Sequence, residues 1–188
     1  MPAQAVSGAK PNPVIGTVLP SLIQRHTPNQ SSRNGQAVTH LVWHATAGHY
    51  APSVEWLCNP AAQASAHLVL DETGGHATQL VHLSAKAWHA VAWNGFSVGV
   101  EHASLGAGFT GREQEERSAR VFAWLCHHLN IPPVFGLHRP KGIVRHRDLG
   151  ISGGGHYDGP TDATWFGVYL PAVQRELARG GFRKTWAL

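Results

Sequence analysis

The chain has 188 residues, enough for one domain with its own core, and 43% of them are hydrophobic, which is ordinary for a soluble globular protein. No apolar run approaches the ~18 residues of a membrane helix, and the first residues lack the basic start and apolar block of a secretory signal peptide. The formal charge of +4 would suit nucleic acid, a membrane face or an acidic polymer and does not choose among them. Histidine, with 14 copies, outnumbers the 11 acidic residues, so metal or proton chemistry is tested first.

The sequence pattern divides the chain into three parts. Residues 1–36, rich in Pro, Ser, Asn and Gly, are predicted to form an extended lead-in segment that docks on the body. Over residues 37–180 short apolar strands alternate with helical stretches, and residues 181–188 form a basic tail. The predicted strands are THLVWH, SAHLVLDETG, TQLVHL, FSVGVEH and GIVRH, and APSVEWLCN is a predicted short helix.

Two longer helices are predicted in the second half of the chain. The first begins at a capping box formed by Thr110 and Glu113 and ends at Asn130, and its apolar stripe consists of Val121 or Phe122, Leu125 and Leu129. The second covers residues 162–179, with Pro171 as a point where it could break. Strands separated by helices predict a single α/β domain with a central mixed β-sheet flanked by helices.

Three polar side chains fall at or near the ends of predicted strands, namely His44, Glu101 and His146. Side chains in such positions converge on one cleft of an α/β sheet. With Asp158 from the glycine-rich loop that follows, the two histidines supply the three ligands of a hydrolytic zinc site, and Glu101 is the candidate proton acceptor. Taken singly, each residue also fits a structural role: a hydrogen-bonded histidine, a surface carboxylate, or a turn aspartate before Gly and Pro.

Residues 39–166 contain five ordered motifs: VWHATAG, ASAHLVLDETG, AWHAVAWNGFSVGVEHA, RHRDLG and HYDGP. Together they resemble the amidase-2 family of zinc-dependent N-acetylmuramoyl-L-alanine amidases. VWHATAG resembles the first metal motif, and ASAHLVLDETG resembles the strand and turn that follow it. AWHAVAWNGFSVGVEHA is the most specific segment, because WHA, WN and S-[IV]-G-[IV]-E occur in order and at the family's spacing. RHRDLG supplies the second histidine, and HYDGP resembles the closing K-x-D-P-G-P element.

The resemblance implies a role for each matched position. It places one zinc ion per chain on His44, His146 and Asp158, and the catalytic carboxylate at Glu101. Another branch of the family uses a tyrosine just before the strand histidine, a position that Ala66 occupies here, which favours Glu101. The residues expected to bind substrate are His67, Trp88, His89, Trp93 and Asn94.

The chain departs from the family in its closing element, which lacks one proline and has His156 where a lysine is usual. His156 is predicted to be catalytic, because an imidazole can stabilise an oxyanion, although a spare ligand or a bystander are the alternatives. Asp148 is expected either to orient His146 by accepting its second ring N–H or to cap the loop. Cys58 and Cys126 are compatible with one disulfide or with two small thiols.

The function that the resemblance implies is hydrolysis of the amide between N-acetylmuramic acid and L-alanine of the stem peptide. We expect a bacteriolytic phage or prophage endolysin, a monomer made in the cytoplasm and released by a holin-type route. Its partner is peptidoglycan, not nucleic acid, and its basic tail contacts the anionic envelope. The alternatives are a cytoplasmic anhydro-muropeptide recycling amidase and a non-catalytic peptidoglycan binder.

Overall fold

The computed structural model describes residues 19–182 and Trp186, and its centre is a six-stranded sheet in the order β1-β5-β4-β7-β3-β8. Neighbouring strands are parallel except β4 and β5, and β2 pairs with β6 in a separate antiparallel ribbon. The prediction of a mixed sheet in one α/β domain is confirmed. The strands are β1 Ser21–Gln24, β2 Gln30–Ser32, β3 His40–Ala45, β4 Leu68–Leu70, β5 His76–Gln79, β6 Ala85–Ala87, β7 Ser97–His102 and β8 Gly142–Arg145.

The central strands are covered on both faces, which explains why they read as nearly continuous apolar runs. On one face the side chains of Leu41, Trp43, Val98 and Val100 join the main core. On the other face Val42 packs in a smaller cluster that includes Val144 and Leu149. Because side chains alternate along a strand, His44 and Glu101 fall on this second face.

Three α-helices flank the sheet: α1 Tyr50–Leu57, α2 Arg112–Leu129 and α3 Leu170–Arg179. The predicted stripe of α2 is buried at Val121, Phe122 and Leu125 in the main core, which α3 shares, whereas α1 packs through Val54 against Val69 on the opposite face. None of the helices in residues 19–182 is both long and apolar enough to cross a bilayer.

The predicted capping box of α2 is wrong. The helix begins after Gly111, and the hydroxyl of Thr110 donates to the carbonyl of Glu72 instead of capping the helix. The Thr110 hydroxyl is thus used in a tertiary contact, and the Thr110 amide donates to the side chain of Gln114 instead of Glu113. The predicted end is confirmed, because Asn130 adopts the left-handed conformation that stops a helix.

The C-terminal helical segment is continuous across Pro171. A short helical turn, Asp162–Thr164, leads into a π-helical turn, Trp165–Tyr169, and α3 follows directly. Proline has no amide hydrogen to donate, and the chain accommodates it in the first turn of α3, next to the widened turn. The π turn buries Trp165 and Tyr169 in the main core.

The segment before residue 37 contributes to the folded body at several points. β1 is an edge strand beside β5, and the side chain of Arg33 is buried, with 5% of its surface exposed. The Arg33 guanidinium donates to the carbonyls of Leu83, Gly95 and Ser97, each at 2.9 Å. The boundary at residue 36 stays a prediction, and most of the basic tail (183–185 and 187–188) and residues 1–18 lie outside the described residues.

The two cysteines are both free thiols. Cys58 is half-buried near the end of α1, and Cys126 is buried in α2, where burial raises its pKa to about 12. The interpretation as two small thiols is confirmed over a disulfide.

Candidate functional site

The register of three adjacent parallel strands brings the candidate residues together. His44 on β3 is paired with Glu101 on β7, and Trp43 is paired with Arg145 on β8, so His146 follows one residue beyond the pairing. All three residues therefore lie at the carboxyl ends of neighbouring strands, where α/β sheets commonly bind ligands.

The glycine-rich excursion after β8 returns Asp158 to the same place. Two short 3-10 turns within His146–Gly153 are joined at a kink at Gly150, whose φ of 56° favours glycine. The Arg147 amide then donates to the Asp158 carbonyl at 3.0 Å, and the Ala45 amide donates to the Asp158 carboxylate at 3.0 Å. Strand β3 thus anchors the returning loop.

His44, His146 and Asp158 form a group of ligand atoms that could hold a metal ion, all within 4.8 Å of one another. His44 Nδ1 lies 2.9 Å from His146 Nδ1 and 3.6 Å from an oxygen of Asp158. His146 Nδ1 lies 2.9 Å from the other oxygen of the same carboxylate. Both histidines are buried, at 1% and 4% exposed.

The hydrogen bonds around His146 leave one of its ring nitrogens available to a cation. His146 Nε2 lies 2.8 Å from the Gly153 carbonyl, which can only accept, so this nitrogen carries a proton, and in the neutral ring Nδ1 is the lone pair. That lone pair faces a carboxylate and a second ring nitrogen in a buried setting, where unneutralised acceptors are costly. The donor set of two imidazoles and one carboxylate fits a metal ion.

Glu101 has no hydrogen-bond partner for its buried Oε2 atom among the described residues. Burial, and to a smaller extent the nearby charge of Asp158, raise its pKa to about 8. In the metal-free protein the carboxyl group therefore keeps its proton at neutral pH. A carboxyl group with a strongly raised pKa, unpaired and beside a cluster of metal-ligating atoms, is typical of an acid or base in catalysis.

Four buried histidines around the sheet are neutral. Burial lowers the pKa of His44 and of His67 well below the ordinary value, and it lowers those of His89 and His102 to about 3. Neighbouring histidines add to the effect at His44, where His146 contributes most.

The cluster lies at the floor of a cavity of about 660 Å³. One wall is formed by α1 and by Trp88 with His89, and the others come from residues 105–107 and from Tyr157. Three large apolar side chains on these walls remain open to solvent: Trp56 at 55%, Leu105 at 72% and Tyr157 at 83%. These three residues were not predicted from the sequence, because a single exposed apolar residue carries no signal until the fold shows what it faces.

Trp88 and His89 line the cavity, but His67, Trp93 and Asn94 do not. His67 is fully buried, accepts from the Gly99 amide at 3.0 Å and lies 2.8 Å from the Arg33 guanidinium. Asn94 accepts from the amides of His89 and Ala90 and so shapes their loop. The Trp93 indole packs edge-on against His40 and donates to Ser152. For these three residues the structure assigns internal contacts where substrate contacts were expected.

His156 lies on the cavity wall, exposed, with its ring stacked on His146 at a centroid distance of 4.6 Å. It is outside the three-atom ligand group. Asp148 does not orient His146, since its carboxylate accepts from the amide and the guanidinium of Arg145 and thereby caps the turn. The Gly153 carbonyl takes the orienting role.

The fold and this cluster define a class of α/β domain with a group of potential metal ligands at the carboxyl ends of its parallel strands. Residues 34–161, more than half of the chain, match the Amidase_2 family, described as N-acetylmuramoyl-L-alanine amidase. The chain belongs to this family, and the predicted membership is confirmed.

One curated relative and several solved structures resemble the chain. N-acetylmuramoyl-L-alanine amidase A of Achromobacter lyticus is 34% identical over 100 residues, which are 52% of this chain and 56% of that relative's length. The structure of the Staphylococcus aureus hydrolase AmiA in complex with its ligand superposes with a TM-score of 0.64 at 16% identity, over 85% of this chain and 82% of that one. A mutant endolysin from Bacillus subtilis gives a TM-score of 0.61 at 18% identity, over 82% of this chain and 99% of that one. At these identities the structural likeness shows the fold alone.

The raised pKa of Glu101 predicts a pH-dependent effect of Glu101→Gln on the metal-free protein. Between the ordinary value of 4.5 and about 8 the native state binds more protons than the unfolded state, so this carboxyl lowers the free energy of unfolding as pH rises. At pH 8 the Gln variant should be more stable than the unsubstituted protein by about 1 kcal/mol or more, and this gain should vanish near pH 4.5. Urea unfolding at both pH values measures it.

The matched control is Glu55→Gln on the exposed side of α1, which should leave the pH dependence unchanged. Parallel stability curves for the Glu101→Gln variant and the unsubstituted protein would contradict the assigned pKa.

Proposed function

We propose that the protein is a zinc-dependent peptidoglycan hydrolase that cleaves the amide between the lactyl group of N-acetylmuramic acid and L-alanine of the stem peptide. The observation that carries this proposal is the unpaired Glu101 carboxyl beside the ligand atoms of His44, His146 and Asp158, in a domain of the Amidase_2 family. The cavity around them is open and has apolar walls, which suits a substrate larger than a metabolite.

Zinc is the metal that this donor set favours. Two imidazole nitrogens and one carboxylate oxygen leave one position open in a tetrahedral site, as in zinc hydrolases. When bound, zinc supplies a Lewis acid that polarises the scissile carbonyl and acidifies the attacking water. His44, His146 and Asp158 would hold it.

Glu101 takes the proton from the attacking water and later delivers it to the leaving amine of L-alanine. A carboxyl group whose pKa lies above the ordinary value can accept and release a proton nearer to neutral pH, and burial moves the pKa of Glu101 in that direction. A zinc ion held by the neighbouring ligands would lower the pKa of Glu101, against the raising effect of Asp158. It would thereby favour the ionised Glu101 carboxylate that the first step needs. The enclosed Oε2 has no competing partner among the described residues.

His156 donates a hydrogen bond to the oxyanion that develops on the scissile carbonyl. It stands on the cavity wall directly above the ring of His146, within reach of a group held at the cluster. A donor aimed at a developing negative charge typically lowers the barrier by several kcal/mol.

We favour an endolysin that degrades the cell wall from within an infected host, over a recycling amidase. A mutant endolysin from Bacillus subtilis shares this fold, with a TM-score of 0.61, so the fold is compatible with the endolysin role. The formal charge of +4 supports contact with an anionic envelope. The retained ligand set disfavours a non-catalytic binder.

The catalytic assignment predicts different losses for two variants. Glu101→Ala should bind zinc normally but lose lytic activity, because only the proton carrier is gone, whereas His44→Ala should lose both. Elemental analysis gives the zinc content, and mass spectrometry of the fragments released from purified sacculi identifies the bond that is cut. An active Glu101→Ala protein, or a cut sugar chain instead of free stem peptides, would refute the proposal.

His156→Ala should lower kcat by about 10²–10³ while the zinc content stays at one ion per chain. His156→Lys, which restores the residue usual in the family, should recover most of the activity. Loss of zinc in the Ala variant would make His156 a ligand, and unchanged kcat would make it a bystander.

The biological role predicts a substrate preference. An endolysin should turn over intact sacculi faster than soluble anhydro-muropeptides, because it acts on the polymer. Rates on the two substrates, measured with the same zinc-loaded protein, decide between the roles. Faster turnover of the soluble muropeptide would favour the recycling amidase.

A further inference from the structure

A chain of hydrogen bonds leads from the backbone carbonyl of Trp93 to the ring of His44. It starts at Ser97, whose hydroxyl oxygen lies 2.6 Å from the Trp93 carbonyl oxygen. A carbonyl only accepts, and a serine has one hydroxyl proton, so Ser97 must donate that proton to Trp93. Ser97 is fully buried, and its hydroxyl oxygen is left as an acceptor.

The second step is at His89. Its Nε2 lies 3.2 Å from the Ser97 hydroxyl oxygen, and because that oxygen is an acceptor, Nε2 must carry the proton of the neutral ring. His89 Nδ1 is then a lone pair. Sequence reasoning expected His89 to bind substrate, but both of its ring nitrogens are used inside the protein.

The third step is at His44. Its Nε2 lies 2.9 Å from His89 Nδ1, which can only accept, so His44 carries its proton on Nε2. His44 Nδ1 is thereby left as a lone pair, directed at His146 Nδ1 and at the carboxylate of Asp158. His146 reaches the same state through its direct bond to the Gly153 carbonyl.

The surrounding residues hold this hydrogen-bond relay, formed by the Trp93 carbonyl, Ser97, His89 and His44, in place. A Cβ atom on Gly99 would lie 2.6 Å from His89 Cγ, so only glycine lets the ring lie flat against β7. The Arg33 guanidinium donates to the carbonyls of Gly95 and Ser97, and the Asn94 side chain accepts from the His89 amide. The order of residues in WHAVAWNGFSVG supplies each of these parts except Arg33.

We propose that His89 and Ser97 are positioning residues that fix the proton of His44 on Nε2 and so reserve Nδ1 for the metal ion. The inference rests on the metal site of the proposed function and not on its substrate. Residues that orient a metal-binding histidine in this way typically change metal affinity about 10–100-fold when they are removed.

The test uses Ser97→Ala, with Ser65→Ala as the matched control. Ser65 is also a buried serine that donates to a carbonyl, that of Asn29, and accepts from the residue just before His89, Trp88, but it does not touch the relay. Nitrogen-15 NMR of the histidine rings in the metal-free protein reports the tautomers, and competition with a chelator gives zinc affinity.

We expect His44 and His89 to be Nε2–H tautomers in the unsubstituted and Ser65→Ala proteins. Ser97→Ala should show a mixture of tautomers at both rings and bind zinc about 10–100-fold more weakly than the control. A folded Ser97→Ala protein with the original tautomers, or with the zinc affinity of the control, overturns the proposal.

If Ser97→Ala does not fold, His89→Ala serves as the second variant. It should likewise free the His44 proton and weaken zinc binding, and an unchanged His44 tautomer would refute the relay. Neither the tautomer measurement nor the zinc affinity involves peptidoglycan. A protein that binds zinc but cuts no amide would therefore refute the proposed function without contradicting the relay.

Discussion

The site depends on one constraint, that the lone pairs of two histidine ring nitrogens point at each other and at a carboxylate. His44 Nδ1 and His146 Nδ1 lie 2.9 Å apart beside the carboxylate of Asp158, all in a buried setting. Backbone carbonyls keep the proton of each imidazole on Nε2, away from the cluster. The Gly153 carbonyl does so directly for His146, and the Trp93 carbonyl does so for His44 through the side chains of Ser97 and His89. The fold thus holds several acceptor atoms close together, an arrangement that a bound cation would stabilise.

The sheet topology delivers these atoms without help from long side chains. Parallel pairing of β7, β3 and β8 puts three carboxyl ends side by side, and a one-residue slip of β3 would turn His44 into the opposite core. Leu41, Trp43, Val98 and Val100 fix that register, because their alternation is satisfied only when they face α2. Packing on one face therefore sets the chemistry on the other.

The sequence was informative where the signal is local. Strand periodicity placed His44, Glu101 and His146 at strand ends, and the motif spacing added Asp158. It failed where a tertiary partner decides, since the Glu72 carbonyl takes the Thr110 hydroxyl from the predicted capping box. Of the two roles that the sequence left open for Asp148, the structure shows the cap of its own turn, through Arg145. His67 and Asn94 were assigned to the cleft because they belong to cleft motifs, yet their polar atoms are used inside the protein. A residue's place in a family motif indicates that it has a role in the domain, but not whether its side chain faces the cavity or the protein interior.

Arg33 lies one residue before the stretch that matches the family, yet its buried guanidinium has no acidic partner among the described residues and binds carbonyls of the loops that carry Trp88 and His89. A polypeptide started at residue 34 would keep every family motif and leave those carbonyls without a donor. The folded unit around this cleft therefore extends beyond the region of sequence similarity, because Arg33 and the strands β1 and β2 all lie before residue 34.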